Sequence, residues 1–346
     1  MRTKRRLLWL AALFAVAVFS VTAAGCGGDD EEEAGDTGAA TTEAPAGSDI
    51  RVCLVTDIGG LNDRGFNSLA NQGLERGASE LGVETRVLES QSDADYVPNL
   101  SECATQGFDL IISVGFLMGQ ATEDAAGQFP DTTFGIIDFA YEAPAANLQG
   151  LVFKEQETGY LVGYLAGLVT ESNTVSSVGG QKIPPVDRFI AGFQKAAVDA
   201  NPDAKTLLGY SQDFVDQAKC KEVALDQIAK GSDVVFQVAG GCGLGALDAA
   251  KEKGVWGIGV DADQAFLGDH ILTSALKRVD EAVFQTIEKL VNGETVGGGV
   301  SVFGLAEDGV GLGEVSPDVD QSLIDQVEEQ KQKIIDGEVE IPEEVG

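Results

Sequence analysis

The stretch Val52-Cys53-Leu54-Val55-Thr56-Asp57-Ile58-Gly59-Gly60-Leu61-Asn62-Asp63-Arg64-Gly65-Phe66-Asn67 decides the architecture. A β-prone apolar run ends on Asp57 and a glycine pair, and Ser68–Leu81 then carries apolar residues at helical spacing. A strand that is apolar throughout is buried on both faces, the situation of a parallel sheet covered by helices. The pattern repeats outward. Strands are expected at Ile50–Thr56, Asp109–Val114, Thr133–Ile137, Thr174–Val178, Asp233–Val238, Val255–Val260 and Ile271–Ala275, with helices at Gly159–Leu168, Arg188–Ala200, Gln217–Ala229 and Asp280–Val291. The alternation gives an α/β fold, and 346 residues suffice for two lobes. A short β-like piece at Val300–Leu305, an acidic helix from Asp318 to Ile335 and a poorly ordered tail, Glu338–Gly346, complete the expectation.

The residues just after each strand are the informative ones. The strand ends read Asp57-Ile58-Gly59-Gly60, Gly115-Phe116, Asp138-Phe139, Gly179-Gly180, Ala239-Gly240-Gly241-Cys242-Gly243 and Asp261-Ala262-Asp263. Open α/β sheets bind ligands at these C-terminal ends. The carboxylates Asp57, Asp138, Asp261 and Asp263 suit hydrogen bonds to ligand hydroxyls or N–H groups, though Asp at such junctions also caps helices. Phe66, Phe116, Phe139 and Phe236 lie on or beside the same loops, where two rings facing across a cleft would sandwich a flat heterocycle. The run Gly240-Gly241-Cys242-Gly243-Leu244-Gly245 matches neither phosphate-loop spacing, so its glycines are read as letting backbone amides approach a neutral ligand.

Charge and composition exclude much. The chain has 56 acidic against 23 basic residues, a formal charge of −33, which opposes nucleic-acid binding. A single histidine, His270, removes most Ser-His-Asp, Cys-His and multi-His zinc chemistry, and is expected at the surface or a hinge. No metal site or cofactor is expected.

The amino terminus reads as an export signal. Arg2, Lys4, Arg5 and Arg6 precede the apolar run Leu7–Val21, too short for a spanning helix, and Ala23, Ala24 and Gly25 lead to Cys26. This order resembles a bacterial lipobox, in which Cys26 is lipidated and becomes the mature terminus. An acidic, Gly/Ala-rich tether runs on to residue 49. The body then faces the extracytoplasmic side of the cell membrane. In that oxidising setting Cys53, Cys103, Cys220 and Cys242 suit two disulfides or buried thiols. Of three pairings, Cys53–Cys103 and Cys220–Cys242 are favoured because each falls within one βαβ neighbourhood.

The opening stretch resembles that of the basic membrane protein (BMP) family, substrate-binding lipoproteins of ABC importers that include purine nucleoside receptors. The resemblance continues through Gly115-Phe116-Leu117-Met118, Phe134-Gly135-Ile136-Ile137-Asp138, Gly150-Leu151-Val152-Phe153-Lys154-Glu155-Gln156-Glu157, Val178-Gly179-Gly180, Val238-Ala239-Gly240-Gly241, Ile258-Gly259-Val260-Asp261-Ala262-Asp263-Gln264 and Thr273-Ser274-Ala275-Leu276-Lys277-Arg278. It implies a type I periplasmic-binding-protein fold: two Rossmann-like lobes with parallel sheets, joined by three crossovers and closing on ligand. By position, Phe66 and Phe236 would stack on the base. Asp57, Asp138 and Asn67 would read its edge, while Asp261 and Lys277, with the backbone at Gly240 and Gly241, would hold the ribose. The Cys220/Cys242 pair is outside the general family pattern.

The expected organisation is a signal peptide at 1–25, a tether at 26–49, a first lobe from 50–150 plus 270–297, a second from 151–269 plus 298–320, and an acidic helix and tail at 321–346. The implied partners are a nucleoside, a membrane permease with its ATPase, and the membrane through the lipid alone, with the body a monomer. A type I receptor for sugars or another small polar ligand, and an extracytoplasmic hydrolase using paired Asp, are the competing readings.

Overall fold

A computed structural model describes residues 48–346; the expected export signal, Cys26 and the expected tether up to residue 47 lie outside the described residues. Ten strands come first along the described chain: β1 (Arg51–Thr56), β2 (Glu84–Glu89), β3 (Leu110–Val114), β4 (Thr133–Ile137), β5 (Leu148–Phe153), β6 (Thr174–Gly179), β7 (Lys205–Tyr210), β8 (Val234–Val238), β9 (Trp256–Asp261) and β10 (Ile271–Lys277). Two more, β11 (Gly299–Phe303) and β12 (Val310–Leu312), close the chain's β structure. They build two six-stranded sheets, ordered β11-β5-β4-β3-β1-β2 and β12-β10-β9-β8-β6-β7, parallel except where β12 runs against β10. Every residue of β3 and β8 is buried, as the uninterrupted apolar runs demand.

Helices cover both sheets. The first lobe carries α1 (Phe66–Leu81), α2 (Tyr96–Thr105) and α3 (Gly119–Gln128); the second carries α4 (Glu155–Val169), α5 (Pro184–Ala200), α6 (Gln217–Ala229) and α7 (Gly240–Lys253). Of the last two, α8 (Val279–Val291) returns to pack on α1, and α9 (Gln321–Ile335) lies on α4. The chain therefore crosses between lobes three times: at β5–α4, at β10–α8 and between β11 and β12. The two-lobed α/β architecture agrees with the pattern of the sequence.

Two boundaries differ from expectation. Strand β10, placed with the first lobe, pairs with β9 in the second sheet, and only α8 crosses back. Strand β11, placed with the second lobe, pairs with β5 in the first. Apolar patterning marks that a segment is a strand but not which sheet it joins: β10 stays beside its sequence neighbour β9, while β11 returns to the distant β5. The tail also differs: Val339, Ile341 and Val345 pack against the core.

The seam between α4 and α5 shows how the site's second wall is held. Gly159, Gly163 and Gly167 recur every fourth residue on one face of α4. A Cβ on them would lie 2.2 Å from the Phe189 carbonyl oxygen, 2.3 Å from that of Phe193 and 2.6 Å from that of Ala197. Hydrogen atoms alone permit so close an approach, so α5, which presents Phe189 and Pro185 to the cleft, is positioned by the absence of side chains. Gly163→Leu is expected to lower the urea-unfolding midpoint, with about 1–3 kcal/mol lost to overpacking; an unchanged midpoint would contradict this seam.

Candidate functional site

A cleft enclosing about 620 Å³ of space, part of it open to solvent, lies between the lobes at the C-terminal ends of the strands. The first lobe gives it Asp57, Asn67, Phe66, Phe116 and Asp138, and the second gives Phe189, Phe214, Asp261 and Lys277. Gly115, Gly240 and Gly241 are among the other residues that line it.

In the first lobe, Asp63 builds the loop that presents Phe66 and Asn67. Its carboxylate accepts from the backbone N–H groups of Gly65, Asn67 and Ser68 at 3.1, 2.6 and 3.1 Å, closing the open amino end of α1. Asn67 Nδ2 in turn donates to Asp57 Oδ1 at 2.9 Å, which also receives Gly59 N at 2.9 Å. This fixes the amide so that Asn67 Oδ1, a buried atom without a protein partner, remains an acceptor. Gly115 is required here: it sits at φ +118°, and a Cβ there would meet Asp57 Oδ2 at 2.6 Å.

Asp138, just after β4, and Asp261, the last residue of β9, have φ of 73° and 64°, the left-handed region that Asp tolerates better than most residues. Between them lies Lys277, only 1% exposed at the end of β10. Its Nζ donates to Asp138 Oδ2 at 2.7 Å and to Glu155 Oε1 at 2.9 Å, and Glu155 Oε2 accepts from Arg188 Nε at 2.6 Å. Phe66, Phe153 and Phe189 surround the ammonium, their ring centres 5.1, 4.9 and 5.8 Å away. Both cations are thus committed to carboxylates within the protein.

Burial drives the titration of the acids. Desolvation pushes Asp57 up to about 6, with Asn67 and Gly59 opposing through their hydrogen bonds. It pushes Asp138 up to about 6 against the pull of Lys277. Asp261, which makes no side-chain hydrogen bond among the described residues, rises to about 7. For Lys277 burial works against the charge, yet Asp138, Glu155 and Asp261 together hold its pKa above the ordinary lysine value. The result is an apolar slot with a surplus of costly buried acceptors, suited to a ligand that brings hydrogen-bond donors.

Two expected residues fall elsewhere. Phe236 is fully buried on β8, its ring centre 6.2 Å from that of Phe189 and 5.1 Å from that of Phe193. It lies in the strand interior with Val234 and Val238, so its side chain faces α5 and not the cleft. Phe214, on the loop after β7, and Phe189 supply the second lobe's aromatic surface. The signal for Phe214 was present in Ser211-Gln212-Asp213-Phe214-Val215-Asp216, a polar turn holding one ring, like the turn that presents Phe66. Asp263 is exposed and accepts from the N–H groups of Ala265 and Glu314, pinning its own loop. Phe139 packs on Phe116 and Tyr141 outside the cavity, and His270 stands apart from it, partly buried.

Both disulfides are present. Cys53–Cys103 ties β1 to α2, and Cys220–Cys242 ties α6 to the first turn of α7. The glycine loop proves to be that helix's amino end, so Gly240 and Gly241 present to the cavity the positive end of a helix. Among the described residues, no acidic, His or Cys cluster could hold a metal ion, and no helix is long and apolar enough to cross a membrane.

Residues 50–345 match the model of the ABC transporter substrate-binding protein PnrA-like family, Bmp. The chain belongs to this family. It is 35% identical to the CD4+ T-cell-stimulating antigen of Listeria innocua over 95% of this chain and 98% of that one. It is 32% identical to the ABC transporter nucleoside-binding protein BmpA of Lactococcus lactis subsp. cremoris, over 98% and 99%. A crystal structure of an ABC transporter solute-binding protein from Aeropyrum pernix superposes with a TM-score of 0.78, at 30% identity, covering 84% of this chain and 92% of that one. As a Bmp protein the chain is a substrate-binding component of an ABC transporter, which implies a small-molecule ligand and a permease with its ATPase as partners.

The raised acids have a consequence for stability. A carboxyl whose folded pKa exceeds the ordinary 3.8 binds protons more tightly when folded, so it favours the fold at low pH and this contribution is lost as pH rises through the folded value. For Asp261 that loss is complete above about 7. Asp261→Asn, without ligand, is expected to raise the thermal midpoint by a few degrees at pH 8 and by clearly less at pH 5, where the loss that begins near 3.8 is only partly complete. Equal shifts at both pH values would show that Asp261 is not desolvated as described.

Proposed function

We propose that the protein is a lipid-anchored receptor that captures a purine nucleoside outside the cytoplasmic membrane for an ABC importer. The observation that carries this reading is the pairing of an acceptor-only edge with aromatic walls. Asp57 and Asn67 Oδ1 offer acceptors to ring N–H or exocyclic amine donors, and Phe66 with Phe214 or Phe189 supplies stacking surface from either lobe. Stacking of this kind is worth about 1–3 kcal/mol per base. Asp138 and Asp261 serve as acceptors for ribose hydroxyls, with Lys277 steadying Asp138 and the amides of Gly240 and Gly241 meeting ribose oxygens. A nucleotide is disfavoured because Lys277 and Arg188 are already paired, leaving a phosphate to face carboxylates. The nucleoside binding for which the Lactococcus lactis relative is named supports the ligand class. Nothing in the cleft demands a bond-breaking step; ligand is held, the lobes close on it, and the closed form is what a permease would recognise. The lipid anchor rests on the Cys26 sequence motif.

Calorimetry at pH 8 with inosine, adenosine, guanosine, ribose and AMP tests the reading. Nucleosides are expected to bind at micromolar Kd or tighter, with ribose and AMP at least about a hundredfold weaker; ribose binding alone would point to a sugar receptor, and product formation to a hydrolase. Phe66→Ala and Phe214→Ala are each expected to raise the nucleoside Kd at least tenfold, about 1.4 kcal/mol, while Phe236→Leu leaves it within about threefold.

Binding should also depend on pH. Ligand donors favour the ionised carboxylates, so the complex has lower pKa values than the free cleft, and affinity falls as pH drops through the free values of about 7 and 6. The Kd at pH 5 is expected to exceed that at pH 8 by roughly ten- to a hundredfold, with protons released on binding near pH 6.5. A Kd that stays flat over this range would refute ionised-carboxylate recognition.

A further inference from the structure

We propose that Gln264 is the latch of the closed cleft, a positioning residue that sets how long ligand is retained without touching it. Gln264 lies just after β9 in the second lobe, is 1% exposed and does not line the cavity. Its Oε1 accepts from Gln237 Nε2 at 3.0 Å and from Val260 N at 3.4 Å, while its own backbone N–H donates to Ser274 Oγ at 3.0 Å. With the oxygen so engaged, the amide nitrogen points outward and donates to the Arg64 carbonyl of the first lobe at 3.3 Å. Gln237, fully buried, is aimed in the same way: its Oε1 accepts from Ala239 N at 3.1 Å. A chain of three hydrogen bonds thus runs from the cavity wall at Ala239, through two buried glutamines, to the opposite lobe. Such chains strengthen one another in a low-dielectric interior.

The sequence makes room for this relay. A Cβ on Gly243 would lie 1.7 Å from Gln237 Oε1, and one on Gly259 would lie 2.7 Å from Gln264 Oε1. Gly243 is inside a helix, where glycine is unfavourable, and it does not line the cavity; space for Gln237 accounts for it. On the receiving side Arg64 holds a left-handed φ of 54°, and a Cβ on the adjoining Gly65 would lie 3.6 Å from Asp261 Oδ2, so this loop is seated on the second lobe. Moving the lobes apart breaks the bond to Arg64 and leaves the rest of the relay, all second-lobe, intact. A bond present only in the closed state biases closure by its own worth and acts on release rather than capture.

The inference rests on the cleft being the ligand site, and its test separates the two. Full-length Gln264→Met, which keeps side-chain volume, and Gln264→Asn, which keeps an amide too short to reach Arg64, are compared with wild type using inosine as probe in stopped-flow binding. The expected result is dissociation three- to tenfold faster with association within twofold, and a smaller change of the same sign for Gln237→Met. Dissociation unchanged in both Gln264 variants overturns the latch, even if their thermal midpoints fall, since a merely structural role would move only the latter. Should inosine not bind wild type, the nucleoside reading fails and small-angle scattering of the ligand-free proteins decides: a larger radius of gyration for Gln264→Met supports the latch, and identical profiles overturn it.

Discussion

The ammonium of Lys277 is the point on which the molecule turns. It sits where the chain leaves β10 to cross between lobes, and it joins Asp138 at a first-lobe strand end to Glu155 in the first turn of α4. Placing a lysine among aromatic rings would be prohibitive without partners, and two carboxylates supply them. The cost shifts to the acids. Asp138, Asp261, Glu155 and Asp57 outnumber Lys277 and Arg188 in the interior, so the cleft carries uncompensated negative charge that water cannot fully solvate. The crossovers are tied by the same chemistry: Glu157 accepts from Leu305 N at 2.7 Å, and Lys154 N donates to Phe303 O at 3.0 Å.

Much of this was legible in the sequence, because parallel sheets leave a local signature. Residues 133–137 and 217–229 form the strand and the helix that their patterns imply. Edge strands β2 and β7, with one end or face exposed, lack an unbroken apolar run and so leave no comparable mark. Helix α7 was hidden by its glycines, whose low helix propensity is overridden by close packing: a Cβ on Gly245 would lie 1.9 Å from the Gln217 carbonyl oxygen. The placement of β11 could not be seen because its partner β5 lies about 150 residues away in the chain, whereas β10 pairs with its sequence neighbour β9 and only the helix after it changes lobe.

The site divides along the same line. Asp57, Asp138 and Asp261 were legible since a carboxylate after a buried strand has few places to go but the cleft. Phe236 misled because apolar strand residues and cleft aromatics look alike in composition, and only the alternation of side chains about β8 separates them. Phe214 lay within a run of turn-formers, the better clue. Asp63 shows the remaining ambiguity: it borders the cavity, yet three backbone amides consume its carboxylate, so one residue is cap and wall at once.

A cleft built in this way favours closure around the right occupant and penalises the wrong one by the same term. Empty, it holds carboxylates whose charge is desolvated without full compensation, so the folded protein is less stable than a neutral cleft would allow. A donor-rich, uncharged ligand supplies the missing hydrogen bonds, and each bond to an ionised acceptor is stronger than one between neutral groups. An anion adds repulsion to a site whose cations are already engaged, and a purely apolar ligand leaves the acids unsatisfied. On the function proposed above, selectivity comes less from shape than from what the protein leaves unpaired; because those acceptors lie on both lobes, a ligand that satisfies them would also draw the lobes together.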